Sequence, residues 1–406
     1  MSPALEIQLV AVLTAMACAL PGAFLVMRRM SLISDAISHA VLPGIVLGFL
    51  LTHSLHHPLL LLLAGAAGLL TVYLIELLEK TGRLREDAAI GLVFPALFSI
   101  GVLLIARFAD QVHLDTDAVL LGELAFVPFD RLQWQGYDLG PKALWTMGGL
   151  CFLNLLLVGL FYKELKLATF DPAYAAVIGF RPVLLHYLLM SAVAVTIVAA
   201  FHAVGAILVI ALMIAPPATA LLLARRMPTY LLYSVLAGVL SAVPGYGIAW
   251  LLDVSIAGSM ATMAGVLFVV VWLIAPEDGL WARWRRRKKQ QIDFALDLLL
   301  LHLLHHEHQV TALDERHPDT LPQHLNWTET ALQRILKAGE QQGLLRITSG
   351  GVHLTQAGRE RAQNRLETLT PAQRLTSRPS MIPAEPLPLP QTRLRPHSRN
   401  QEKSVL

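Results

Sequence analysis

Asp35 and His39 are the residues of this chain best suited to chemistry. They stand in the string RRMSLISDAISHAVLPGIVLG, residues 28–48, at the mouth of an apolar stretch. A spacing of four puts both side chains on one face of a helix. A carboxylate oxygen and a neutral imidazole nitrogen suit a borderline divalent ion such as zinc, manganese or ferrous iron. Ionisable groups at membrane depth are costly and usually line a pathway. Two ligands do not complete a site, so other helices or a delivering partner must supply the rest. The competing reading is structural, with Asp35 as a helix cap and His39 paired to another helix. Pro43 has no N–H, so the carbonyl of His39 loses its helical partner. Gly44 and Gly48 offer a small-xxx-small face for close packing.

Two further segments carry information. Residues 201–226, FHAVGAILVIALMIAPPATALLLARR, have thin Gly and Ala flanks, and Pro216 and Pro217 free carbonyls near Leu212 and Met213. Such a helix is a kinked pore helix or a bent packing helix, and both remain open on this segment alone. His202, at its outer end, is a structural histidine or a transient ligand. Residues 163–182, KELKLATFDPAYAAVIGFRP, place Asp171 as a cap and Pro172 at the first helical position. A short amphipathic helix over 172–179, running through Ala173 and ending at Gly179, is expected. It would dock into a motor subunit or lie on lipid.

The elements that must hold these groups are membrane helices. The chain has 406 residues, 55% hydrophobic and 15% charged, too apolar for an ordinary soluble protein. A span needs about 20 apolar residues. Nine are expected: 4–27, 36–53, 58–78, 88–106, 143–162, 183–201, 203–224, 230–251 and 256–275. Lysines and arginines fall after the odd-numbered spans, 16 of them (Arg28, Arg29, Lys80, Arg83, Arg85, Lys163, Lys166, Arg181, Arg225, Arg226, Arg283, Arg285, Arg286, Arg287, Lys288, Lys289) against 3 (Arg107, Arg131, Lys142) on the other side. The positive-inside rule then sets the N-terminus outside and the C-terminus in the cytoplasm of a multi-pass inner (plasma) membrane protein. The first span lacks a basic leader and reads as a retained helix. The outward segment 107–142 carries Asp110, Asp115, Asp117, Glu123, Asp130 and Asp138, an acidic vestibule for cations or a plain solvated loop. Cys18 and Cys151 give no disulfide framework or CxxC site.

No GxxxxGK[ST] phosphate loop, HExxH or GxSxG string is present. ATP-driven transport would therefore need its ATPase on a separate chain, and this chain reads as no enzyme. The strings RRMSLISDAISHAVLPGIVLG, TFDPAYAAVIGF and VGAILVIALMIAPPATA together resemble the permeases of zinc, manganese and iron ATP-binding-cassette importers, over roughly residues 5–276. The resemblance implies Asp35 and His39 as translocation-site ligands for Mn2+, Zn2+ or Fe2+, with no permanently bound cofactor. It also implies a second permease subunit, identical or paralogous, an ATP-binding subunit touching the 172–179 helix, and an extracytoplasmic metal-binding protein. Ligation needs neutral His39, so uptake is expected to weaken as pH falls toward the imidazole pKa of about 6.5.

The expected organisation is an all-α permease domain over 1–280, a small α+β domain over 291–368, and a disordered tail over 371–406 rich in Pro, Ser and Arg. Arg283 to Gln291 would anchor the last span against anionic headgroups. Residues 291–308 read as an amphipathic helix and Thr328 to Glu340 as another. LLRIT and VHLT form a hairpin around Ser349-Gly350-Gly351, and Thr355 to Leu366 is a last helix. This order resembles a winged helix of the iron-dependent-repressor type. Arg334, Lys337 and Arg346 are placed to meet phosphates, although a membrane-tethered domain reaches DNA poorly and a docking or regulatory role is favoured. The rival for the whole chain is a membrane-tethered, metal-responsive regulator that binds DNA. His302, His305, His306 and His308 suggest metal sensing, with no cysteine to complete a site.

Overall fold

Proline and glycine punctuate the helices of this chain. Proline occupies the first or second position of the helices that begin at Pro3, Leu42, Pro58, Pro172, Pro182 and Met227, where a missing N–H costs nothing. The computed structural model describes residues 2–53, 57–108, 124–134, 137–307, 327–348 and 351–369, with Leu321 and Leu325. Its first helices are α1 (Pro3–Met27), α2 (Ser31–Ala40), α3 (Leu42–Thr52), α4 (Pro58–Lys80), α5 (Glu86–Phe108) and α6 (Lys142–Leu160). Two short helices follow, α7 (Tyr162–Phe170) and α8 (Pro172–Val177), and then α9 (Pro182–Val204), α10 (Ala206–Leu223), α11 (Met227–Leu252) and α12 (Ile256–Ile274). Among the described residues nine segments are long and apolar enough to cross a membrane, with α2 and α3 together forming the second. The number and order match the hydropathy reading, and the protein is a multi-pass membrane protein.

The second span differs from expectation in one respect. It begins at Ser31, not near 36, so Asp35 lies in the second turn and is not a cap. The chain interrupts the helix at Val41, and Pro43 falls in the first turn of α3. The glycine face of α3 packs on α4. A Cβ on Gly44 would stand 2.4 Å from the carbonyl oxygen of Leu63, and one on Gly48 2.8 Å from the Cα of Leu60.

The most enclosed span is α1, whereas α5 and α12 are the most open. Asn154 of α6 donates to the carbonyl of Ala17 in α1 and to the Thr196 hydroxyl in α9, both at 2.9 Å. This buried amide ties three helices where an unsatisfied polar group would be costly. Between α9 and α10 the chain reverses at Gly205, whose φ of 80° and ψ of 163° lie in a region that residues with a Cβ avoid.

The segment between α5 and α6 holds a 3-10 turn (Leu124–Phe129) and a small antiparallel hairpin of β1 (Arg131–Trp134) and β2 (Tyr137–Pro141), which composition alone did not announce. Arg131 fixes it. Its Nε donates to Asp138 at 2.6 Å and its Nη2 to Glu6 at 3.3 Å, while Lys142 pairs with Asp130 at 2.6 Å. Asp110, Asp115, Asp117 and Glu123 of the proposed vestibule lie outside the described residues.

The chain divides into two compact units after Arg286. The second contains the end of α13 (Leu280–His305), α14 (Glu329–Gln341), the hairpin of β3 (Leu345–Thr348) with β4 (Gly351–Leu354), and α15 (Gln356–Leu369). Leu296, Leu299, Leu300 and Leu303 of α13 pack with Leu332, Ile335 and Leu336 of α14 and with Val352. Buried Asp297 accepts from Arg361 and Arg365, each at 2.7 Å. The 371–406 tail lies outside the described residues.

Candidate functional site

The face of α2 that packs inward is apolar and self-satisfied. Ile33, Ala36, Ile37 and Ala40 are buried, and the hydroxyls of Ser34 and Ser38 bond back to the carbonyls of Ser31 (2.7 Å) and Ser34 (2.8 Å). The other face carries Asp35 and His39. Their side chains remain 48% and 31% exposed, with Oδ1 and Nε2 3.6 Å apart. Two ligand atoms about 2.0–2.2 Å from one ion stand about 3.0–3.6 Å apart, so the pair can grip one cation from one helix face with little movement.

Packing on α5 fixes the imidazole. The His39 ring leans on Phe94, centroids 5.3 Å apart, and meets Phe98 edge-on at 6.4 Å. Neither phenylalanine was signalled by the sequence, because contacts between residues more than fifty positions apart leave no local pattern. Pro95 lies between them within α5 and removes the usual donor to the Gly91 carbonyl. Among the described residues no group of three His, Cys, Asp or Glu forms a metal-holding cluster.

The other sequence candidates fall elsewhere. Pro216 and Pro217 are buried in α10, and the freed carbonyl of Met213 faces Gly22 of α1. His202 lies in the last turn of α9, three residues before the Gly205 reversal; its side chain is outside the described atoms. Asp171 caps α8 by accepting from the Tyr174 amide at 2.9 Å, with Pro172 and Ala173 in the first turn. The helix closes at Gly179, with a φ of +98°, and the Phe180 amide returns to the Ala175 carbonyl at 3.0 Å. Only Ala175 of α8 is buried; Tyr174, Val177 and Ile178 face outward. In the second unit Arg334, Lys337 and Arg346 are exposed. His305 and His306 stack edge to face at 5.0 Å, and His308 is outside the described residues.

The model of the ABC 3 transport family matches residues 3–275, which includes all nine spans. The chain belongs to the ABC 3 transport family. Within this family it is similar to the zinc transport system membrane protein TroD of Treponema pallidum, at 44% identity over 87% of this chain and 98% of that protein. The first unit is 286 of 406 residues, about 70%, so this likeness continues into the second unit. The manganese transport system membrane protein MntD of Bacillus subtilis is 45% identical over 69% of this chain and 95% of its own length. Among solved structures the family fold recurs in PsaBC from Streptococcus pneumoniae in complex with Fab, with 28% identity and a TM-score of 0.57 over 68% of this chain and 94% of that one. As in its family, this chain is a permease subunit, and ATP hydrolysis belongs to another subunit.

Proposed function

We propose that this chain is the membrane permease of an ATP-driven importer of divalent transition-metal ions, and that Asp35 and His39 bind the ion in transit. The observation that carries this reading is the carboxylate and imidazole, 3.6 Å apart on the exposed face of a spanning helix. The relatives are named for zinc, for manganese and, in the YfeD protein of Yersinia pestis at 36% identity over 65% of this chain and 82% of its own length, for chelated iron. Mn2+, Zn2+ and Fe2+ are therefore the candidate substrates, and all three accept an O,N donor pair.

The exposed surfaces and the family support three partners. A second permease subunit, identical or paralogous, covers the α2–α5 face and closes a path around the two ligands. An ATP-binding subunit docks on the exposed side chains of α8. An extracytoplasmic metal-binding protein delivers the ion at the face carrying the N-terminus, and the C-terminus lies on the cytoplasmic side of the inner membrane, a reading that the basic loops support. The second unit serves as a cytoplasmic winged-helix docking module. Its Arg361 and Arg365 are engaged by Asp297, whereas Arg334, Lys337 and Arg346 are exposed.

Metal uptake into liposomes holding the whole complex tests the site. Asp35→Ala and His39→Ala should each lower Mn2+ or Zn2+ uptake by about tenfold or more, with the ATP-binding subunit still bound. Uptake at the wild-type rate in both variants would overturn the assignment.

A further inference from the structure

A polar chain outside the Asp35–His39 face joins four elements. Arg28, just after α1, donates from Nε to the Thr169 hydroxyl of α7 and from Nη1 to Nδ1 of His186 in α9, both at 3.1 Å. A guanidinium has only donors, so Nδ1 accepts and the proton of the ring sits on Nε2. That nitrogen pairs with Oε1 of Glu76 in α4. The second carboxylate oxygen accepts from the Tyr187 hydroxyl at 2.9 Å and from Lys80 at 3.3 Å. Glu76 and His186 keep only 15% and 17% of their side-chain surface. With Lys80 and Arg28 beside them, the pair is no vacant cation site.

The placement gives the chain a use. Arg28 opens the turn that sets the direction of α2, a turn made possible by Arg29 in the left-handed region at φ 62°. Thr169 stands two residues before Asp171, the cap of α8. A parallel apolar link exists, because Ala175 of α8 shares a buried cluster with Phe24 of α1.

We propose that Thr169, Arg28, His186 and Glu76 are positioning residues that carry a displacement of α8 to the α1–α2 turn, and so re-aim the face bearing Asp35 and His39. Coupling of this kind needs a contiguous element that both sites bias. The inference rests on the transport reading above.

The test is the amount of Mn2+ or Zn2+ moved per ATP hydrolysed by the reconstituted complex. Thr169→Val removes one hydrogen bond and keeps the volume, and should lower the ratio by about threefold or more. Thr169→Ser should restore it. Tyr187→Phe, which unties one bond to Glu76, should lower the ratio in the same direction. An unchanged ratio in both Thr169→Val and Tyr187→Phe overturns the proposal. So does a fall that serine does not restore, or a loss of assembly in both variants, which would make the chain a folding element only. Asp35→Ala in the same preparation separates the two readings. Wild-type uptake in that variant sinks the metal site, whereas lost uptake there beside an unchanged ratio in both Thr169→Val and Tyr187→Phe sinks only the coupling.

Discussion

The imidazole of His39 rests against the ring of Phe94, their centroids 5.3 Å apart and the planes inclined at 43°. A metal ligand works best when its ring is held before the ion arrives. Contacts between rings contribute about 0.5–1.5 kcal/mol. Phe94→Leu keeps bulk and loses the ring, so uptake at limiting metal should fall by about two- to tenfold while uptake at saturating metal changes less. The concentration dependence of uptake checks this, and equal curves for the two proteins would remove Phe94 from the site.

Gly22 and Met213 show what the paired prolines do. Pro217 frees the Met213 carbonyl, and that oxygen lies where a Gly22 Cβ would be, at 2.1 Å. No flexible side chain can yield there, since the obstacle is backbone. Gly22→Ala should cost about 1–3 kcal/mol or more and appear as a lower unfolding temperature in detergent. Gly91→Ala, with nothing within 4 Å of its Cβ, is the matched control and should leave it near wild type.

Val177 of α8 is 83% exposed, so the permease has little to lose when it changes. Val177→Asp should shift the permease's own stability by no more than about 0.5 kcal/mol. If α8 is the dock for the ATP-binding subunit, a carboxylate set into that contact costs on the order of 1–3 kcal/mol, and affinity for the subunit should fall by about tenfold. Co-purification of the two subunits reads it. Undiminished co-purification would move the dock elsewhere.

The sequence disclosed what short-range rules govern. Nine spans were legible because each needs its own apolar run, and the Asp35–His39 pair because a spacing of four fixes a shared face. The α8 cap was legible from Asp171-Pro172. Two helices extended past their expected starts. Ser31 to Ile37 mixes hydroxyls with apolar residues and weakens the hydropathy signal, while the basic run after Arg283 has no apolar face to mark it as helix although Arg and Lys are good helix formers. What stayed hidden were long-range partners. Glu76 and His186 are 110 positions apart, and each alone resembles an ordinary polar residue near a helix end. The Arg131–Trp134 strand is too short for its alternation to stand out.

That hairpin carries a pH dependence with a definite sign. The Gly140 amide donates to Oδ1 of Asp138 at 3.0 Å, and Arg131 donates from Nε to its Oδ2 at 2.6 Å. The amide first, and then the guanidinium, holds the Asp138 carboxyl below its usual value. A depressed folded pKa gives stability that is present above the unfolded value of about 3.9 and lost as pH falls through the folded one. Hydrogen exchange of the hairpin amides should therefore show protection independent of pH, after correction for intrinsic rates, from neutral pH to about 4, and a decline below that. Asp138→Asn cannot accept as a carboxylate and should lose part of the protection at neutral pH and flatten the decline. Glu6 still holds Arg131 in that variant, so the hairpin should loosen without detaching from the start of α1. A decline of undiminished size in Asp138→Asn would assign the pH dependence to another carboxylate.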